Sequence, residues 1–345
     1  MMETLEIDGS FGEGGGQILR TAIALSIVTG TPIHVTRIRA GRETPGMRTQ
    51  HVAAAGILRD VSAGRLEGAS VGSSEIRFFP GTVMKGSMKV ELGTAASITL
   101  VLQAVVPAVS MAGASLTLEI TGGTDVPWSP TFDYFSTAVR EGFHLIGIDF
   151  TVGASKRGYY PKGGGRARAE IQPCGRLAGL KAAGPPTSRP VSILSRCGML
   201  PQHVAERQAE AAARALQDGG LRVGVVTSTT EPSDSPGSSI ALAEIGKGCI
   251  IGSDCLGERG KRAEEVGAQA AQSLLAFESS GSCVDPFLAD MLAPLLCFAQ
   301  EESRIRIPKA TQHLITNLHV AGLFTAFEYR LEETQASTTL VINPS

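Results

Sequence analysis

An excess of charge of one sign is missing from this chain. Its 345 residues carry 31 Lys and Arg against 33 Asp and Glu, a net charge of −2. Generic duplex-DNA binders are basic, so duplex DNA binding is not expected. Any hold on nucleic acid has to come from a local cluster acting over a short stretch. Aromatic residues are scarce, at 5%, which excludes stacking on exposed rings as a main mode of nucleic-acid binding. The cysteines stand at 174, 197, 249, 255, 283 and 297 with no C-x-x-C pair, so neither a zinc ribbon nor a redox motif is supported. The most apolar stretch, Ala95–Leu118, contains Gln103, Pro107 and many small residues. It reads as a buried helix followed by a strand rather than a membrane span. Met1–Ile7 is short and carries Glu3 and Glu6, unlike a secretory signal. These features describe a soluble protein of a reducing, cytoplasmic compartment.

Glycine, in contrast, is plentiful, at 41 residues, and glycines gather where backbone must turn or approach a ligand closely. Hydrophobic residues at 43% and charged residues at 19% are enough for a real core. Domains hold roughly 100–200 residues, so the length suggests two or three units. An apolar helix, a short turn and an alternating strand recur at Gln17–Val28 with Ile33–Ile38, at Ala95–Ala108 with Ser115–Ile120, and at Pro286–Ala299 with Arg304–Ile307. Such units predict an α/β (α+β) fold with helices packed on sheets. A further unit, His203–Gln217 with Arg222–Thr229, has a charged outer face and alanines inside. Linker-like Ala182–Pro190 and Ser279–Ser282 flank that region. The expected organisation is a large domain from 1–182 and 281–345, with a small α/β domain inserted at 183–280.

Four segments are candidates for chemistry. Asp8–Arg20 runs from a short strand through a glycine loop directly onto a helix. There, backbone N–H groups and the helix N-terminus can hold an anion, and Arg20 adds donors one turn in. Glu13 would repel phosphate unless a cation bridged them, which makes it a candidate Mg²⁺ ligand. A plain turn with a solvated glutamate is the ordinary alternative. Thr36–His51 reads as a loop after a strand, and clusters Arg37, Arg39, Arg42, Arg48, Gln50 and His51. It can grip a terminal phosphate or be merely a solvated basic loop. Arg157–Gly165 reads as a hairpin with a glycine corner, whose tyrosines, Arg157 and Lys162 can alternatively flank a nucleotide. In Lys309–Asn317, Thr311 or Gln312 starts a helix and places His313 at its N-terminus, as a nucleophile or as a capping or packing residue. At that position the dipole favours a neutral imidazole.

Taken together, the segments resemble the RNA 3′-terminal phosphate cyclase family. The resemblance is carried by Asp8-Gly9 with Gly12–Arg20, Ile38–Arg42 with Pro45-Gly46 and Gln50-His51, Gly122-Gly123-Thr124 with Pro127–Pro130 and Asp133-Tyr134, Arg157–Gly165, and His313–Asn317. It implies a large domain of three βαβαββ-like repeats, a small inserted α/β domain, and an enzyme. By this likeness His313 takes AMP from ATP, passes it to the RNA 3′-phosphate to make RNA(3′)pp(5′)A, and a 2′,3′-cyclic phosphate closes with loss of AMP. The likeness also implies Mg²⁺ (or Mn²⁺) held by Glu13. RNA or phosphate contacts fall to Arg20, Arg39, Arg42, Gln50 and His51, and ATP contacts to Gln103, Pro130, Phe287, Leu288, Ala289, Asp290 and Met291. Members commonly have tyrosine where Phe287 stands and glutamine where Met291 stands, so the nucleotide pocket here loses polar contacts. The alternatives are a non-catalytic relative acting in ribosome assembly, which would lack the nucleophilic histidine, and a carboxyvinyl transferase on a related repeat architecture, which would need none.

Overall fold

The computed structural model describes residues 4–12, 14–93, 95–184, 189–246 and 248–345. Its first unit runs β1 (Leu5–Asp8), α1 (Gly16–Thr29), β2 (Ile33–Thr36), α2 (Thr49–Val61), β3 (Arg65–Glu67) and β4 (Ile76–Phe79). The strands pair in the order β1-β2-β4-β3, with β1 and β2 parallel and the other pairs antiparallel. The second unit repeats this plan: β5 (Gly86–Glu91), α3 (Ile98–Met111), β6 (Leu116–Gly122), a helical crossover, β7 (Phe150–Lys156) and β8 (Gly165–Ile171), in the order β5-β6-β8-β7. Its crossover is α4 (Phe132–Tyr134), a π turn (Phe135–Val139) and α5 (Arg140–Leu145). Three βαβαββ units are thus present, because the third runs from β9 (Lys181–Ala182) to a later group of elements described next.

Between β9 and its continuation lie β10 (Val191–Gly198), α6 (His203–Asp218), β11 (Val223–Thr230), β12 (Gly237–Gly246), β13 (Cys249–Leu256) and α7 (Ala263–Ser279). The third unit then resumes with α8 (Pro286–Leu296), β14 (Ser303–Ile307), α9 (Gln312–Gly322), β15 (Phe327–Glu333) and β16 (Thr338–Pro344), pairing as β9-β14-β16-β15. No helix among the described residues is long and apolar enough to cross a membrane.

Local sequence explains the helices. α1 is apolar almost all round, burying Ile18, Leu19, Ala22, Ile23 and Leu25, and it ends at Gly30 in the left-handed conformation, φ 70°. α3 starts at Ser97, whose side chain accepts from the Leu100 N–H at 3.2 Å. α8 starts at Asp285 followed by Pro286, which needs no N–H partner in the first turn. Helices buried on nearly every side pack on one another rather than only on a sheet. Accordingly α1 packs against α2, α3 and α9, and α8 against α9. Strands β10–β13 carry α6 and α7 on a separate apolar cluster that includes Val191, Ile193, Leu216, Leu242, Val266 and Leu274. Gly267 lets those two helices close in, since a β-carbon there would lie 2.0 Å from Gln208 O.

The β7–β8 connection is the expected hairpin, with Gly163 and Gly164 at φ 66° and 68°. The expectation that Arg157 and both tyrosines flank a nucleotide needs correcting for two of them. Arg157 is only 3% exposed and Tyr159 is buried, its ring pressed against Gly237; only Tyr160 is exposed. Arg157 donates to both carboxylate oxygens of Asp133 at 3.0 Å, to Asp125 at 3.3 Å and to Glu231 at 2.6 Å. Arg196 joins the same cluster through Asp133 at 3.2 Å and Glu231 at 3.3 Å. The guanidinium therefore ties the second repeat to β10 and to the loop after β11. Burial pushes the Asp133 carboxyl up, against the pull of Arg157, with Asp125 adding to the rise. Removing one member of a buried charge cluster leaves the others uncompensated. Arg157→Ala should therefore cost about 3–5 kcal/mol of stability, read as a lower urea midpoint; a midpoint equal to that of the parent would refute the cluster's structural role.

Candidate active site

Chain geometry around the glycine loop starts at the end of β1. Asp8 Oδ1 accepts from the Ser10 N–H at 3.0 Å and from Ser10 Oγ at 2.7 Å, closing a tight turn. Gly12 and Gly14 hold φ 59° and 55°, which glycine adopts without strain. A β-carbon at Gly12 would lie 2.3 Å from Thr316 Oγ1 of α9, and one at Gly16 would lie 2.1 Å from His51 Nε2 of α2. The loop thus presses against both helices. α1 begins at Gly16, and Gly15 before it offers no side-chain cap, so its first N–H groups are not claimed by a capping residue. Glu13, the expected metal ligand, lies outside the described residues.

The basic segment divides between a loop and a helix. Residues 37–48 form the loop, but Gln50 and His51 sit in the first turn of α2, where reading the whole stretch as loop missed the helix start at Thr49. Arg37 and Arg39 hold φ 51° and 56°, a strained conformation for residues with side chains. Arg37 pairs with Asp8. Arg39 is spent on the loop itself, donating to Thr44 O at 2.7 Å and Gly46 O at 2.9 Å. Desolvation and the neighbouring Arg48 and Arg42 charges hold its pKa below the usual guanidinium value. Arg42 is exposed, and its tip lies 3.4 Å from where a Gly15 β-carbon would stand.

His51 is 4% exposed, and its Nδ1 accepts from the Arg48 N–H at 3.0 Å. Burial, then Arg20, Arg39 and Arg48, push its pKa down to about 4. The ring is neutral at pH 7, and with Nδ1 accepting, the proton sits on Nε2, facing the start of α1.

A cavity of about 30 Å³ lies where α1, α3, α8 and α9 meet, lined by Gln17, Arg20, Gln103, Asp290, Met291 and Asn317 among others. A water needs about 10–15 Å³, so this space admits water but no purine. A smaller space joins Arg20 to Gln50. Arg20 is half-buried, makes no hydrogen bond or ion pair among the described residues, and burial lowers its pKa to about 10. Hydrogen bonds run across the helices: Thr21 Oγ1 donates to Asn317 Oδ1 at 3.0 Å, and Asn317 Nδ2 donates to Asp290 O at 2.6 Å. Thr311 Oγ1 donates to Asp290 Oδ1 and accepts from the Leu314 N–H at 2.8 Å, so Thr311 caps α9. His313 is the second residue of α9, half-buried, with Asn317 one turn on.

The remaining expected nucleotide contacts line α3 and α8. Pro130 O accepts from Thr99 Oγ1 at 2.9 Å, one turn before Gln103. Phe287 is 55% exposed at the start of α8, one turn before Asp290 and Met291. Leu288 and Ala289 point into the core, and the N–H groups of Phe287 and Leu288 donate to Asp285 Oδ1, each at 3.0 Å. Sequence reasoning passed over Asp285. It also accepts from Tyr134 Oη at 2.8 Å and from the Gly252 N–H at 2.9 Å, and burial lifts its pKa to about 6. Gln17 and Thr21 were missed too, although their i, i+4 spacing on α1 already placed them on the Arg20 side.

The neutral His51 has a consequence for stability. Its pKa is depressed on folding from 6.5 to about 4, so the unfolded chain binds more protons between those values. Its contribution is intact above about pH 6.5 and is lost on acidification towards pH 4, by at most roughly 3 kcal/mol. Urea midpoints across this range should show that acid limb, and His51→Asn should flatten it; an unchanged limb in the variant would place the titration elsewhere.

Comparison with known proteins identifies the family. The family model described as RNA 3′-terminal phosphate cyclase matches residues 11–331. A protein of Pyrococcus furiosus named RNA 3′-terminal phosphate cyclase is 43% identical over 318 residues, covering 92% of each chain. One of the same name from Caldivirga maquilingensis is 40% identical over 346 residues, covering 99% of this chain and 98% of its own. Another from Thermococcus kodakarensis is 42% identical, covering 96% of this chain and 95% of its own. A solved enolpyruvyl transferase, NikO from Streptomyces tendae, aligns with 11% identity, covering 99% of this chain and 82% of its own, at a TM-score of 0.20, too weak to carry an argument. With three βαβαββ units, a glycine loop pressed on the His313 helix and a family match over nearly its whole length, the chain belongs to the RNA 3′-terminal phosphate cyclase family.

Proposed function

We propose that this protein converts an RNA 3′-terminal phosphate to a 2′,3′-cyclic phosphate at the expense of ATP, with His313 carrying AMP. The observation that supports this most is the linkage of His313 to the cavity. Thr311 and Asn317, on either side of it along α9, both bond Asp290, which lines the cavity with Arg20 and Gln103. A phosphate monoester is a poor electrophile because its leaving group would be hydroxide-like, and a covalent intermediate splits the difficult transfer. In the first step a His313 nitrogen attacks the α-phosphorus of ATP and pyrophosphate leaves. An RNA 3′-phosphate oxygen then attacks that phosphorus and the imidazole departs, giving RNA(3′)pp(5′)A. Finally the 2′-hydroxyl attacks the RNA phosphorus, losing its proton, and AMP leaves as the ring closes.

The chain's own groups suit these charges. Arg20 lacks a protein partner among the described residues, the start of α1 is uncapped, and neutral His51 offers an Nε2–H donor without the repulsion between cations that a charged ring would add. Gln50 and Arg42 extend the same basic rim towards the RNA phosphate, with Arg39 bracing the loop. The adenine stacks on Phe287, exposed one turn before the cavity-lining Asp290 and Met291, with Gln103 and Pro130 along that side, while the buried Leu288 and Ala289 seat α8 in the core rather than touch the base. Among the described residues no trio of His, Cys, Asp or Glu is placed to hold a metal. Mg²⁺ takes one or two carboxylates and completes its shell with water and substrate phosphates, so Glu13 suffices, and Mg²⁺ or Mn²⁺ there would offset polyphosphate charge. ATP and RNA as substrates, and cysteines that are free thiols among the described residues, are in keeping with work in a reducing cytoplasm, with residues 183–280 as the inserted domain. The presence of His313 speaks against a non-catalytic assembly role.

Incubation with ATP labelled at the α-phosphate should yield an acid-labile, base-stable protein–AMP adduct, and His313→Ala should abolish it. Undiminished label in that variant would remove His313 as nucleophile. Arg42→Ala should slow AMP transfer to RNA by about 10- to 100-fold, the scale of a charge-assisted hydrogen bond, while sparing label transfer to the protein. Equal losses in both steps would place Arg42 on ATP instead.

A further inference from the structure

Trp128, the chain's one tryptophan, is 96% exposed and holds φ 62°. Both features are unfavourable: a large ring left in water forgoes burial, and side chains rarely adopt the left-handed region. Its loop is nonetheless pinned. Ser129 Oγ donates to Val126 O at 2.8 Å, Thr99 Oγ1 to Pro130 O at 2.9 Å, the Thr131 N–H to Asp254 Oδ2 at 2.6 Å and the Phe132 N–H to Asp125 Oδ1 at 3.2 Å. The indole is therefore displayed on a rigid support.

Its place in the repeat is telling. The β6–α4 loop corresponds to the β2–α2 loop of the first unit, which carries the arginines, and to the β14–α9 connection of the third, which leads into His313. Strained non-glycine residues recur at this station, with Arg37 and Arg39 in one unit and Trp128 in another. Two residues beyond Trp128, Pro130 is tied to Thr99, one turn from cavity-lining Gln103. A flat, electron-rich face on the loop that Pro130 ties, through Thr99, to the cavity helix α3 matches a nucleobase, since every base offers a π face whatever its identity. ATP brings one base, for which Phe287 on α8 is the exposed ring nearer Met291. The RNA brings another, attached to the reacting end.

We propose that Trp128 is a stacking platform for a nucleobase at the 3′ end of the RNA. This assignment rests on the cyclase reading above. It also bounds the shortage of aromatics: one ring serves one base, and phosphate contacts do the rest.

Because the chain has a single tryptophan, its emission reports this position alone. Titrating the full-length protein with a short RNA ending in a 3′-phosphate should quench Trp128 emission saturably, and ATP alone should not. Trp128→Ala should raise the KM for RNA by about 10- to 100-fold, the range of one base–aromatic stack, and Trp128→Phe should recover most of that loss. Protein–AMP formation should fall less than about twofold, since no RNA base is needed for it. The proposal is overturned by an unchanged KM for RNA in Trp128→Ala, by a parallel loss of protein–AMP formation, or by quenching with ATP alone. It is equally overturned if the variant dissolves a dimer seen by light scattering while the KM for RNA holds, which would make the ring a protein contact. A parent protein that quenches with RNA yet forms no protein–AMP would sink the cyclase reading and leave the platform standing.

Discussion

At Gly12 a β-carbon would lie 2.3 Å from Thr316 Oγ1, and at Gly16 one would lie 2.1 Å from His51 Nε2. These two approaches bring the glycine loop against α9 on one side and α2 on the other, and the rest of the site depends on them. A side chain at Gly12 would force Thr316 Oγ1 aside and strain a left-handed backbone, and one at Gly16 would displace the buried His51 ring. Asn317 and Thr311 lock the same junction from within, because their hydrogen bonds to Asp290 fix α9 against α8.

Electrostatics follow from this packing. Burial, reinforced by the charges of Arg20, Arg39 and Arg48, keeps the His51 imidazole neutral. Cations collected this closely repel one another, and an anion arriving among them relieves the repulsion. The acidic balance of the chain is spent elsewhere. Asp125, Asp133 and Glu231 surround Arg157 at the contact with β10 and the loop after β11, so a near-neutral protein still presents a basic rim where phosphate has to bind.

How much was legible beforehand depended on the range of the interaction. The units α1–β2, α3–β6 and α8–β14 could be read because apolar periodicity and the short turns that break it act within a few residues, whereas the caps Ser97 and Asp285 emerged only in the structure. The first strand of the third repeat could not, being only Lys181–Ala182 and separated from its continuation by β10–α7. Arg157 looked like a surface cation because nothing local announces burial; its partners lie 24, 32 and 74 residues away. Similarly, Gln50 and His51 read as loop because the start of α2 is closed by Arg48 and His51, which are not the residue types that usually signal a helix cap.

The amino-acid sequence by itself determined the repeating helix–turn–strand plan, the glycine loop opening onto a helix and the place of His313 at a helix start, since each rests on backbone preferences and caps of neighbouring residues. Only the tertiary structure decided that Arg20, Gln103, Asp290 and Asn317 line one cavity, that His51 is neutral, that Arg157 is structural and that Trp128 stands in solvent. Those properties come from desolvation and from contacts between residues tens to hundreds of positions apart, and no local pattern encodes either.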